Sequence, residues 1–168
     1  MGTDVVAANG LILQIVLLSQ FTVNGIGLTT QTLIGNFRGT GETEKMMPLL
    51  NVSMFASLTI SLIFALVSIL FPAIAYITWL LPLLFFGAVA FVLEGYVIGL
   101  KESAKLRNSA IIALGFGFIP VAWFAWYLQN NHILWLALTM YMATLAISFG
   151  IKLRGVQISK SLSWQHES

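Results

Sequence analysis

Long apolar runs alternate with short polar breaks along this chain, and the breaks fall at intervals that suit helices crossing a bilayer. Five segments stand out, at about residues 5–37, 48–70, 73–100, 108–128 and 132–151. Each reaches the roughly 20 residues that a membrane span requires. From Leu49 to Leu93 there is no Asp, Glu, Lys or Arg, a stretch long enough for two spans. Pro48 suits the first turn of the second segment. Phe71-Pro72 and Gln129-Asn130-Asn131 predict tight turns between antiparallel neighbours. Pro82 and Pro120 remove backbone donors inside the third and fourth segments, where they are expected to bend the helix.

Composition agrees. Apolar residues make up 58% of the chain and charged residues 8%, against about 25% charged in a soluble domain. Such a surface suits lipid, so a soluble enzyme and a nucleic-acid-binding domain are both excluded; the latter needs basic residues gathered on one water-facing side. The expected fold class is all-α, a polytopic membrane protein of about five transmembrane helices. Residues 1–154 form the membrane domain and 155–168 a cytoplasmic tail.

The charges set the orientation. Arg38 and Lys45 follow the first segment, Lys101, Lys105 and Arg107 the third, and Lys152, Arg154 and Lys160 the fifth. With five spans these regions share one side, which the excess of Lys and Arg marks as cytoplasmic. The C-terminus is then inside and the start of the chain outside. A first helix so polar, with no basic flank before it, is better explained if another helix precedes it. The chain is therefore expected to be the C-terminal portion of a longer transporter, or the product of a split or truncated gene.

Within the first segment, Asn9, Gln20, Asn24 and Gln31 fall on an arc of about 60° when successive residues turn by about 100°. Carboxamides facing lipid would forfeit their hydrogen bonds, so this stripe faces protein or a wet cavity. Two readings stay open, interhelical bonding and the polar wall of a substrate cavity. Glu94 is the one acid inside an otherwise apolar span, about 10 Å from its cytoplasmic end at about 1.5 Å per residue. An intramembrane acid marks an ion or proton pathway by default, because a carboxyl group that gains and loses a proton also changes its affinity for cations. The bland alternative is that Glu94 reaches towards the interface or bonds a neighbouring helix. Gly35–Gly39 and Gly95–Gly99 have the small-xxx-small spacing of closely packed helices.

No catalytic or metal-binding set emerges. Cysteine is absent, His132 and His166 stand far apart, and Gly39-Thr40-Gly41 lacks the rest of a phosphate loop.

Three motifs in order resemble the multidrug and toxic compound extrusion (MATE) transporters. Ala7-Ala8-Asn9, continuing through Asn24-Gly25 to Thr32-Leu33-Ile34-Gly35-Asn36-Phe37-Arg38-Gly39-Thr40-Gly41, is similar to that family's eighth helix. Phe91-Val92-Leu93-Glu94-Gly95-Tyr96-Val97-Ile98-Gly99 is similar to the tenth, and Leu134-Trp135-Leu136-Ala137 to the start of the twelfth. The resemblance covers residues 4–154. It implies five helices of a twelve-helix fold, whose two lobes surround a cavity and export organic cations or other amphiphiles in exchange for protons or sodium. It implies no cofactor beyond a coupling H+ or Na+. Glu94 matches the tenth helix's acidic position, which implies ion coupling or substrate binding there, with Gln20, Asn24, Gln31 and Asn9 as cavity lining. The implied partners are membrane lipid, a small-molecule substrate, the N-terminal lobe and the preceding helix, and the implied location is the plasma (inner) membrane. Two further possibilities are a flippase of lipid-linked oligosaccharides in the same superfamily and a non-transporting membrane subunit.

Overall fold

A computed structural model describes residues 3–69 and 77–166, and every regular element among them is helical. Helix α1 spans Thr3–Thr40, α2 Met46–Ile69, α3 Ile77–Gly99, α4 Ser103–Ile112, α5 Ile119–Leu128 and α6 Asn131–His166. A short 3₁₀ turn, Thr43–Lys45, leads into α2, and a π-helical segment, Ala113–Phe118, joins α4 to α5. The expected turn at Phe71-Pro72 lies outside the described residues, as do the adjoining ends of the second and third segments. Among the described residues, four helical stretches are long and apolar enough to cross a membrane: Thr43–Ser68, Thr78–Gly99, Leu106–Leu128 and Asn131–Leu153. The protein is an all-α, polytopic membrane protein. The fifth expected span lies on α1 and is not one of these four, and the side chains of its first turns lie outside the described residues. The last helix does not stop near residue 151 but continues through the expected tail to His166.

Backbone capping explains where the helices end. Gly41, at φ +79, ends α1, a conformation that costs a glycine little. The other two turns are built on non-glycine residues. After α3, the Lys101 N–H bonds the Ile98 carbonyl and the Glu102 N–H bonds the Val97 carbonyl, with Lys101 at φ 56. After α5, the Gln129 N–H bonds the Trp126 carbonyl and the Asn130 N–H bonds the Ala125 carbonyl, with Gln129 at φ 50. Both are Schellman caps, which satisfy the last carbonyls of the helix. Pro120 does not break the fourth segment into separate helices. The Ile119 N–H instead reaches back to the Leu114 carbonyl, a wider π-type turn that accommodates the missing proline donor while the chain stays helical.

Helix α3 is the centre of the bundle and packs against α1, α2 and α6. Its closest approach is to α1. A Cβ built on Gly95 would collide with the Gly27 carbonyl, and one on Gly99 would lie 2.7 Å from the Gln31 carbonyl oxygen and 2.8 Å from Ile34 Cβ. Gly27 in turn would bring a Cβ to 2.7 Å from the Phe91 carbonyl oxygen. The two backbones therefore meet with nothing between them, as small residues permit. Gly35 is in ordinary contact with the Gly99 carbonyl oxygen at 3.9 Å, and Gly39 has no neighbour within 4 Å.

Hydroxyls join α1 to α2. Ser53, Ser57 and Ser61, one helical turn apart, and Ser68 are buried on α2, and the buried Thr30 hydroxyl of α1 is hydrogen-bonded to Ser53 Oγ at 2.8 Å. Interhelical bonds of this kind average about 0.6 kcal/mol in a membrane and reach about 1.7. Thr30→Val, which keeps the shape and removes the bond, is expected to cost about 1 kcal/mol. Reversible unfolding of the purified protein in bicelles measures that loss, and Ser53→Ala in the same background should add little to it.

Candidate functional site

Three observations place the polar side chains relative to α2. Thr30 faces α2 and Gly27 faces α3. Counted around α1 at about 100° per residue, Thr30 lies about 60° to one side of Gly27, whereas Gln20, Asn24 and Gln31 lie about 20–60° to the other. The amides therefore occupy the flank of α1 that is turned away from α2. On α3, Gly95 faces α1, and the Tyr96 hydroxyl is 3.9 Å from Met47 Sδ of α2. Glu94 lies about 100° from Gly95 in the opposite sense to Tyr96, so it too is turned away from α2.

Both groups therefore lie on the side away from α2. Helix α6 packs on α3, and its backbone stays apart from that of α1 among the described residues. Gly27 pairs with Gly95 and Gln31 with Gly99, so α1 and α3 run parallel in register. In that register Glu94 is level with Ile26, about 3 Å along the axis from Asn24 and about 7 Å from Gln31 on the other side. Gln20 is about a turn beyond Asn24. It lines a narrow cleft with Ser19, Leu84, Gly87, Ala88, Phe91 and Ser61 of α2, so this amide lies nearest the junction of the three helices.

Exposure follows this placement. Glu94, Gln20 and Gln31 are half-buried, and Asn24 is exposed. Among the described residues, no cation lies within ion-pair distance of Glu94; Lys45 and Glu42 form an ion pair at 2.6 Å, on the surface. The Asn9 side chain lies outside the described residues. The register carries its position on α1 several turns from Glu94, so it does not share the acid's level.

The structure adds groups that the sequence pattern did not single out. Tyr141 of α6 packs on the buried cluster at the α3–α6 contact, with its ring edge-on to Phe118 at 6.3 Å between centroids. A hydroxyl in the middle of an apolar span was the available signal for it. Ser19 and Ser61 are buried and their hydroxyls have no hydrogen-bond partner among the described residues. At the basic end, Lys152 Nζ donates to the buried Ser109 Oγ at 2.6 Å and ties α6 to α4. No group of three or more His, Cys, Asp or Glu able to hold a metal occurs among the described residues.

Comparison with known proteins bears on the same helices. Residues 1–75 match the MatE family. DNA damage-inducible protein F of Escherichia coli (strain K12) is 23% identical over 167 residues, an alignment covering 88% of this chain and 35% of that protein. The chain thus spans about a third of the length of that relative. No solved structure matches it. The family match covers α1 and α2, and the alignment with that relative runs across nearly all the helices.

Proposed function

We propose that the chain forms part of the cavity wall of a MATE-type secondary transporter that exports organic or cationic compounds in exchange for protons or sodium. The observation that carries this reading is that the one acid of the third span and the amide flank of α1 are both turned away from the packed α2 side, towards the groove we infer between α1 and α6. Glu94 is the ion-responsive group, and Gln20, Asn24 and Gln31 offer neutral hydrogen-bonding partners to a passing substrate. The protein lies in the plasma (inner) membrane with its basic side, and hence its C-terminus, in the cytoplasm. The basic residues sit at the ends of the spans, so the groove lacks the positive lining that a lipid-linked, phosphate-bearing sugar would require.

The absence of cysteine provides a direct test. Single cysteines at positions 20, 24, 31 and 94, in protein reconstituted into a bilayer, should react with a membrane-impermeant maleimide. Cysteines replacing Phe55 and Phe116, which are 76% and 81% exposed on the outside of the bundle and carry apolar side chains, should not. Equal protection at all six positions overturns the cavity reading.

A further inference from the structure

Helices α5 and α6 form a hairpin, and a cleft of about 210 Å³ opens between them at its tip. Its lining changes along the helix axis. Ala122 and Ala125 of α5 and Leu134 of α6 form the inner part, and Trp126, Gln129 and Asn130 the outer part. Helix α5 ends at Leu128 and α6 begins at Asn131, which are also the limits of two membrane-crossing stretches. Ala122 therefore lies about 9 Å inside the span, while Asn130 lies beyond it. The cleft straddles the level at which hydrocarbon gives way to the polar interface. The rings on α5 suit that level: Trp123, Trp126 and Tyr127 are exposed, and Trp and Tyr gather where one end of a side chain meets lipid and the other meets water.

The polar groups of the tip are partly committed. The Gln129 side-chain amide donates to the Trp126 carbonyl at 2.7 Å, and Asn130 Oδ1 accepts from the His132 N–H at 2.9 Å. Both bonds fix the turn. The side-chain N–H groups of Asn130 and the Trp126 indole N–H have no protein acceptor among the described residues. The Trp126 ring is held edge-on to Trp123, with centroids 6.0 Å apart and planes at 65°. No Asp, Glu, Lys or Arg occurs between Asn108 and Ile151. Among the described residues α5 packs on α6 and on the π-helical segment, so no other helix closes the cleft.

We propose that this cleft is a phospholipid site. It takes the glycerol-ester segment of a lipid from the leaflet opposite the basic residues, with one acyl chain lying along Ala122, Ala125 and Leu134. The chemistry agrees on three counts. Ester carbonyls accept hydrogen bonds and cannot donate, and the open groups of Trp126 and Asn130 only donate there. The ester segment carries no charge, and neither does the lining. The volume is below the roughly 300 Å³ at which pockets for drug-sized ligands begin, so it suits one segment of a lipid rather than an enclosed solute. A seated lipid would brace α5 on the side where it lacks a helical neighbour. The site stands whether or not Glu94 couples ions.

The test uses the full chain in detergent, with a substoichiometric amount of phosphatidylcholine that carries a diazirine at the ester end of one acyl chain. Irradiation and peptide mapping should place most of the label between Ala122 and Leu134, and several-fold less around Phe55, which is 76% exposed on α2. Ala122→Phe and Leu134→Trp each fill the cleft. Either should cut the labelling there about tenfold, the equivalent of about two buried methylene groups. Asn130→Asp keeps the acceptor that bonds His132 but removes the donor, and should lower the labelling as well. Label spread in proportion to exposure, or undiminished in both filled variants, means an adventitious lipid coat only and overturns the site. An unlabelled tip in a chain that elutes as a dimer assigns the cleft to a second copy, which also overturns it.

Discussion

In a complete transporter that carries this chain, Glu94→Gln abolishes export driven by a pH gradient and leaves membrane insertion unchanged. The substitution keeps the size and hydrogen-bonding capacity of the side chain but removes its ability to take up a proton or attract a cation. Insertion is not at risk. A charge near the middle of a span costs roughly 2.5–3.5 kcal/mol on insertion scales, and the amide relieves that cost. Nor is packing at risk, since Glu94 is half-buried and turned away from α2 rather than locked in the α1–α3 contact. The measurement is substrate efflux from proteoliposomes with an imposed proton gradient, repeated with a sodium gradient. The variant should run at the rate seen with no gradient at all. Wild-type export by the variant would remove Glu94 from the coupling mechanism and leave the amides of α1 as the remaining functional feature of the groove.

The sequence pattern and the structure agree most closely where the physical constraint is strongest. Lipid tolerates few charges, so an uncharged stretch such as residues 49–93 could only be membrane-embedded helix, and α2 and α3 lie there. The Gly95–Gly99 spacing was legible as a packing face because small residues are where backbones approach. The partner was not. Gly27 belongs to no paired motif, and only the parallel register of α1 and α3 brings it under Gly95. The acid at position 94 stood out as a lone charge, whereas its direction depended on which neighbours flank α3. Periodicity within one helix carries no record of that. The bend of the fourth span shows the same limit. Pro120 announced a lost donor, but the π-turn that absorbs the loss begins at Ala113, ahead of the proline, and seats Gly117 against α6. The tail beyond residue 151 looked polar enough to end a helix, yet α6 runs on to His166. Polarity shows where lipid stops, and a helix can continue into water.

Gly95→Ala is expected to be the most destabilising glycine-to-alanine change on α3. The new methyl would occupy the position of the Gly27 carbonyl oxygen. No flexible side chain is available to step aside, because the obstacle is backbone. Relief requires α1 and α3 to move apart, which loosens the Gly99 contacts with Gln31 and Ile34 in the same seam. Overpacking of a well-fitted core costs about 1–3 kcal/mol, and a backbone obstacle puts this case at about 3. Two glycines serve as controls. Gly87, on the same helix, and Gly25, on α1, have nothing within 4 Å of a built Cβ. Alanine there should be neutral or gain up to about 1 kcal/mol from the better helix propensity. Unfolding of the three variants in bicelles separates the cases, because a general intolerance of substitution would lower all three alike. If Gly95→Ala matches Gly87→Ala, α1 and α3 do not meet as closely as the glycines allow. The groove whose walls are set by that contact would then lose its defined width, and with it the spacing that holds Asn24, Gln31 and Glu94 around a common level.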